Sequence, residues 1–288
     1  MLDFAHDAAT WPAAARGRII HSHPHRWHVV EAGTDGPTLL LLHGAGASTR
    51  SWAGLIPLLA ARARVIAIDL PGHGFTRLGA RTRSAMVQMA EDIAKLTASL
   101  GAEPDALIGH SAGGAIALQL ARTACPDARI VCFNAALSEF PGLAGVLFPT
   151  LAKLMSLNPL TGPIIAGAAN RDATRRLLNS TGGPISAEMR AHYHRLISDH
   201  RHISGTLTMM SQWRIQPLHD ALPSIPNETL FCVGDLDGTV PPDASVTAAE
   251  AMSNAVLIRR AELGHLAHEQ DPAWAAPAIF GHLGFEAD

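Results

Sequence analysis

A serine hydroxyl attacks a carbonyl at neutral pH only when a neighbouring base takes its proton and an acid orients that base. Three residue types must therefore be found, on separate loops, in a workable order. Ser111 is the first: it lies in Gly109-His110-Ser111-Ala112-Gly113, which fits G-x-S-x-G. Small residues on either side permit the cramped strand-to-helix turn this motif makes. The surroundings agree, since the apolar run 106–108 precedes it and the apolar helical stretch 112–124 follows. The start of that helix would aim backbone N–H groups at a developing negative charge. A serine that merely caps a helix needs none of this context.

The base and the acid are expected downstream. Gly234-Asp235-Leu236-Asp237-Gly238 follows the apolar run 229–233, and Gly264-His265 follows the run 256–260, giving the chain order Ser, Asp, His. Asp237 is the candidate orienting acid and His265 the candidate base. Asp235 suits a turn-forming role, because a short carboxylate in a strand-exit loop bonds readily to its own backbone. An acid after the sixth strand, such as Glu139, is the alternative to Asp237. An oxyanion hole needs two backbone N–H groups. Ala112, directly after the nucleophile, offers one, and Ala45 in His43-Gly44-Ala45-Gly46 offers the other. His43, His110, Met209, Met210 and Trp213 are the candidates to contact substrate.

These loops need a scaffold. Strand patterns at 18–21, 27–31, 38–42, 64–68, 106–108, 130–133, 229–233 and 256–260 alternate with helical patterns at 51–61, 84–100, 112–124, 242–252 and 271–283. Such alternation predicts an α/β fold, a mostly parallel twisted sheet with helices on both faces. From 138 to 225 no strand pattern appears, and the composition is helical with breaks at Asn158-Pro159, Gly162-Pro163 and Gly182-Gly183-Pro184. This reads as a helical lid inserted after the sixth strand, with both ends on the same sheet edge, over the strands' carboxyl ends where such sheets bind ligands. The expected division is 1–137 and 226–288 for the core and 138–225 for the lid.

Taken in order, these motifs resemble the α/β-hydrolase superfamily over nearly the whole chain. The resemblance rests on the His43-Gly44-Ala45-Gly46 loop with Trp52 nine positions after His43, on Asp69-Leu70-Pro71-Gly72-His73-Gly74, on the Ser111 turn, on the acid loop ending Val240-Pro241, and on Gly264-His265 with Glu269 four further. A serine rather than an aspartate at residue 111 departs from haloalkane dehalogenases and epoxide hydrolases. Within the superfamily the chain resembles the magnesium chelatase accessory proteins of bacteriochlorophyll biosynthesis, through Leu39 to Thr49, Asp69 to Thr76, Asn158-Pro159, Ser180-Thr181-Gly182, Met209-Met210, Trp213 and Gly264 to Glu269. That resemblance implies a role around magnesium insertion into protoporphyrin, a tetrapyrrole ligand and chelatase subunits as partners. It also implies an acidic residue after Trp213, where this chain has Arg214. Two functions follow: a serine hydrolase acting on an apolar carbonyl substrate, or a non-catalytic accessory protein that holds a tetrapyrrole on a hydrolase scaffold.

Composition narrows the rest. With 48% hydrophobic and 16% charged residues, the 288-residue chain can bury a large core, and a net charge of −3 gives no field to draw it onto nucleic acid. No apolar run approaches the roughly 20 residues of a membrane span, and the acidic start lacks the pattern of a secretory signal. Three cysteines in apolar settings, Cys125, Cys132 and Cys232, suit buried thiols in a reducing, cytoplasmic setting. Tyr193 stands among His192, His194, His200 and His202, but no cysteine or carboxylate completes a zinc-like set, so no metal or cofactor is expected. Met155, Met189, Met209 and Met210 suit a core or an apolar pocket wall.

Overall fold

The computed structural model describes residues 2–7, 17–138, 153–155 and 157–285. Eight strands form one sheet: β1 (Gly17–Ser22), β2 (His25–Ala32), β3 (Thr38–Leu42), β4 (Arg64–Ile68), β5 (Ala106–His110), β6 (Arg129–Phe133), β7 (Thr229–Gly234) and β8 (Ala255–Arg260). Their order is β1-β2-β4-β3-β5-β6-β7-β8, with β2 antiparallel to both its neighbours and all later pairs parallel. The unbroken leucines of β3 reflect burial on both faces, as parallel strands require. Leu40 and Leu42 join one core layer with Ile116 and Phe231, while Leu39 and Leu41 join the other with Trp52 and Ile279. The edge strands β1 and β8 instead alternate between partly covered and exposed residues.

The helices are α1 (Phe4–Asp7), α2 (Ile56–Leu59), α3 (Met86–Ser99), α4 (Ala112–Thr123), α5 (Thr161–Ala168), α6 (Arg171–Asn179), α7 (Ala187–Ile197), α8 (His200–Ser211), α9 (Gln216–His219), α10 (Pro242–Ala251), α11 (Ala267–Gln270) and α12 (Pro272–His282). The expected helix at 51–61 is broken: a 3-10 turn at Thr49–Trp52 precedes the single α-turn α2. Ser48 caps the first, and Pro57 opens the second, where a proline's missing N–H costs nothing. Helix α4 is buried from Ala112 to Ala121 and presses on the sheet so closely that a Cβ on Gly113 would lie 2.0 Å from the Leu42 carbonyl oxygen.

Between β6 and β7 every described element is helical. Asn170, Ser186 and Asp199 cap α6, α7 and α8 with side-chain oxygens, which fixes where each helix begins. The ends of this segment do not share a sheet edge. Strands β6 and β7 are parallel, so the chain leaves at the carboxyl end of β6 and returns to the amino end of β7. Helix α9 and the 3-10 turn Leu222–Ser224 make that return, with Leu218 and Leu222 buried in the α4 core layer. Among the described residues, no helix is long and apolar enough to cross a membrane.

Candidate active site

Ser111 sits at the turn from β5 into α4 with φ 53° and ψ −118°, a left-handed-side conformation that side chains rarely adopt. The backbone around it over-determines that strain. Its N–H donates to the Phe133 carbonyl at 2.9 Å, and its own carbonyl accepts from Gly114 and Ala136 at 3.0 Å. A Cβ on Gly109 would meet the Gly113 carbonyl oxygen at 2.3 Å, so neither glycine is replaceable without opening the turn. The His43–Gly46 loop comes up against it: a Cβ on Gly44 would stand 3.0 Å from Ser111 Cβ and 2.9 Å from His110 Nδ1. Ala112, first in its helix, has an N–H beyond the reach of intrahelical acceptors. Ala45 is exposed at the turn beside it, between buried Gly44 and Gly46 at φ 76°.

His265 Nδ1 and Asp237 Oδ2 are 2.7 Å apart, so Nδ1 carries the proton and Nε2 is left as an acceptor. Among the described residues no hydrogen bond joins Ser111 Oγ to this nitrogen. The Asp237 carboxylate is fully used: Oδ1 accepts the Thr239 and Val240 N–H groups at 2.7 and 2.8 Å, and Oδ2 also accepts Asn134 Nδ2 at 2.8 Å. Asp235 turns away and pairs with Arg259 at 2.6 Å. Glu139 lies outside the described residues.

Asn134 is the residue that sequence reasoning missed. It follows β6 at φ 44°, a conformation asparagine tolerates better than most, and its Oδ1 also accepts the Gly234 N–H. A lone asparagine just past a buried strand was the available signal. The Ser180-Thr181-Gly182 turn likewise gains a reason. The Thr181 carbonyl accepts N–H groups from His265 at 2.8 Å and Gly238 at 3.4 Å, and Gln270 bridges Gly264 N–H to the Gly182 carbonyl. One turn of the inserted segment thus grips both loops.

The five expected substrate contacts take these places in the fold. Both ring nitrogens of His43 are engaged, Nδ1 donating to the Gly44 carbonyl and Nε2 accepting the Leu70 N–H, and burial holds the ring neutral, with its pKa down at about 4. His110 Nε2 donates to the backbone carbonyl of His265 at 2.8 Å, so it braces the loop that carries His265. Met209 is wholly buried in the α4 core layer, with Trp213 packed against that layer, and Met210 is partly covered. Of the histidines around Tyr193, His194 Nδ1 meets Thr174 Oγ1 at 3.0 Å inside the insertion, while His192 and His202 serve its seam with the core. His192 Nε2 meets Ser48 Oγ at 3.2 Å, and His202 accepts from Gly74 N–H and donates to the Gly46 carbonyl at 3.0 Å. Tyr193 donates to Glu269 at 2.6 Å, whose carboxyl burial pushes up to about 7. Cys132 and Cys232 are free, buried thiols with pKa values raised by burial.

Known proteins bear on this arrangement. A 30 kDa subunit of magnesium chelatase from Rhodobacter capsulatus is 47% identical over 266 residues, covering 91% of this chain and 92% of that one. A pimeloyl-[acyl-carrier protein] methyl ester esterase from Aeromonas hydrophila is 37% identical over 122 residues, 40% of this chain and 46% of that one. Among solved structures, an alpha/beta hydrolase fold protein from Burkholderia ambifaria overlays with a TM-score of 0.73 at 19% identity, covering 92% of this chain and 99% of that one. The family model for the alpha/beta hydrolase fold matches residues 37–272, which take in every loop described above. The chain belongs to the α/β-hydrolase family.

Proposed function

We propose that the protein is a serine hydrolase whose lid, residues 138–225, covers a triad of Ser111, His265 and Asp237. One observation carries the reading: a strained serine at a strand-to-helix turn shares a sheet edge with an imidazole whose far nitrogen is a buried carboxylate's partner. Ser111 Oγ attacks the substrate carbonyl as His265 Nε2 takes its proton, and Asp237 stabilises the imidazolium that results. The N–H groups of Ala112 and Ala45 receive the oxyanion, each such donor being worth about 3–4 kcal/mol of barrier. His265 then protonates the leaving group, and water, activated by the same nitrogen, releases the acid and frees Ser111.

An apolar ester is the substrate class this reading favours, because an ester-cleaving relative is 37% identical over 122 residues and the methionines of the lid suit an apolar body. The likeness to a magnesium-chelatase subunit supports placement in magnesium-tetrapyrrole biosynthesis, in the cytoplasm and alongside chelatase subunits. The same likeness favours a second reading, a non-catalytic accessory protein that holds a tetrapyrrole under the lid. The two part in a single experiment. A fluorophosphonate probe should label the wild type and spare Ser111→Ala, with a burst of p-nitrophenol from a p-nitrophenyl ester. Absent labelling and burst, with saturable Soret shifts on titrating protoporphyrin, would establish the accessory reading instead.

A further inference from the structure

One short segment, residues 133–136, reaches both the candidate nucleophile and the candidate acid. Its backbone holds the first: the Phe133 carbonyl accepts the Ser111 N–H at 2.9 Å, and the Ala136 N–H donates to the Ser111 carbonyl at 3.0 Å. Between them stands Asn134, which is buried, and its side-chain Nδ2 donates to Asp237 Oδ2 at 2.8 Å.

The amide is held in one orientation. Asn134 N–H donates to the Cys232 carbonyl at 3.0 Å, directly after the last β6–β7 pair, Phe133 with Cys232, and φ 44° then ends the strand. The side chain takes over where the ladder stops: Oδ1 accepts the Gly234 N–H at 3.3 Å, and Nδ2 lies 3.4 Å from the Gly234 carbonyl oxygen. Gly234 is itself pressed against the turn that carries His265, since a Cβ on it would lie 2.4 Å from the Gly264 carbonyl oxygen. An ionised carboxylate only accepts, so Nδ2 and not Oδ1 must point at Asp237.

A carboxylate offers about four lone-pair sites, and Asp237 fills two at each oxygen. Thr239 and Val240 N–H groups take Oδ1, while Asn134 and His265 share Oδ2. We infer that Asn134 is a positioning residue: it fixes the Asp237 carboxylate independently of His265 and, by sharing Oδ2, loosens the carboxylate's hold on the imidazolium, so that Nε2 stays free to accept a proton. The inference rests on the reading of Asp237 and His265 as the acid and base of a hydrolase. A donor to Oδ2 stabilises the negative charge by itself, so an imidazolium beside it gains less. His110, with its ring centre 4.7 Å from that of His265, and His268 also face this ring. Burial holds both neutral, with the His268 pKa down at about 3, so neither competes with Asp237 for the imidazolium.

The test is magnetic resonance of the full chain with histidines labelled at Cε1, following the His265 ring through pH without substrate; its signal is assigned by its loss in His265→Ala. Asn134→Gly removes the amide and accepts the positive φ, and Asn134→Ala repeats the loss with a Cβ in place. Both should raise the titration midpoint of the ring by about one pH unit and move the acid limb of kcat/KM for a p-nitrophenyl ester upward by the same amount. Asp235→Asn, in the same loop but paired with Arg259, should move neither. In the wild type, the Asn134 side-chain amide signal should shift with the same midpoint as the ring. A merely structural role would lower melting temperature and plateau rate while leaving the midpoint in place, and that result in folded Asn134→Gly would overturn the inference. A raised midpoint without any ester turnover in the wild type would count against the hydrolase reading and leave the effect of Asn134 on the ring standing.

Discussion

Two of the buried aspartate–histidine pairs among the described residues have nearly the same bond and differ in what stands at the other ring nitrogen. His265 Nδ1 lies 2.7 Å from Asp237, and His28 Nδ1 lies 2.8 Å from Asp69. The second pair is wholly sealed: the His28 ring packs between Phe4 and Phe75 at 5.1 Å from each, and its buried Nε2 has no hydrogen-bond partner among the described residues. Burial alone would raise the Asp69 pKa, but His28, His43 and the Thr49 N–H together hold it well below the usual carboxylate range. Phe75 N–H and the absent side chain of Gly74 complete a cage around the carboxylate. That pair fastens β2 to the turn after β4. An imidazole held by a carboxylate can thus be a fastening and nothing more, and the proposed reading sets the His265 pair apart by giving it the Ser111 hydroxyl to deprotonate.

The difference can be broken apart by mutation. The largest effect is expected at the nucleophile and base: Ser111→Ala and His265→Ala should each cut ester turnover by about 10⁶-fold, and the double variant little more. Additive losses in steady-state kinetics would show that the two do not act in one step. Asp237→Asn should lower kcat by about 10⁴-fold with little change in unfolding midpoint, because the amide favours the wrong tautomer. Asp69→Asn should do the reverse, costing about 3–5 kcal/mol in denaturant unfolding, since it leaves a buried histidine without its carboxylate.

Acid should separate the pairs further. His43 titrates at about 4 and His268 at about 3 in the folded chain, both through burial, against about 6.5 unfolded. Between those values the unfolded chain binds protons that the folded chain refuses. Stability is therefore full above about pH 6.5 and falls toward pH 4, by about 1.4 kcal/mol per pH unit for each such ring. Urea midpoints measured from pH 7 to 5 should decline accordingly, while Asp69, still ionised there, contributes no slope. The smallest effect belongs to Asp235→Asn, which removes a half-exposed ion pair with Arg259 and should change stability by less than about 1 kcal/mol and turnover less than about twofold.

What could be read in advance followed local chemistry. The inner parallel strands were legible because they bury both faces, so runs such as Leu39 to Leu42 have no competing reading. The loops bearing Ser111, Asp237 and His265 were legible because glycine spacing marks tight turns. What was not legible depends on partners far away in the chain. Nothing around His110 reveals that its ring would find a carbonyl 155 residues on, nor around Asn134 that its amide would meet Asp237, 103 residues on. Nor does the sequence show that both His43 ring nitrogens bond to backbone, or that Met209 is buried in the core with Trp213 packed against it. The break at Thr49–Trp52 escaped because its residues suit a continuing helix, whereas Ser48 and the Asp69 carboxylate cap it from outside the pattern.

The order in which these parts are made has its own consequence. The Ser111 turn is closed by bonds to Phe133 and Ala136, so its strained backbone has every partner once about half the chain exists. His265 comes 154 positions after Ser111. At roughly 5–20 residues per second, a ribosome takes about 8–30 s to cover that interval. Throughout it, the sealed pair of His28 and Asp69 can already lock the first strands together, while the serine stands beside no base. A growing chain therefore carries six of its eight strands and a serine without His265, and on the proposed reading reactivity arrives only with the final segment.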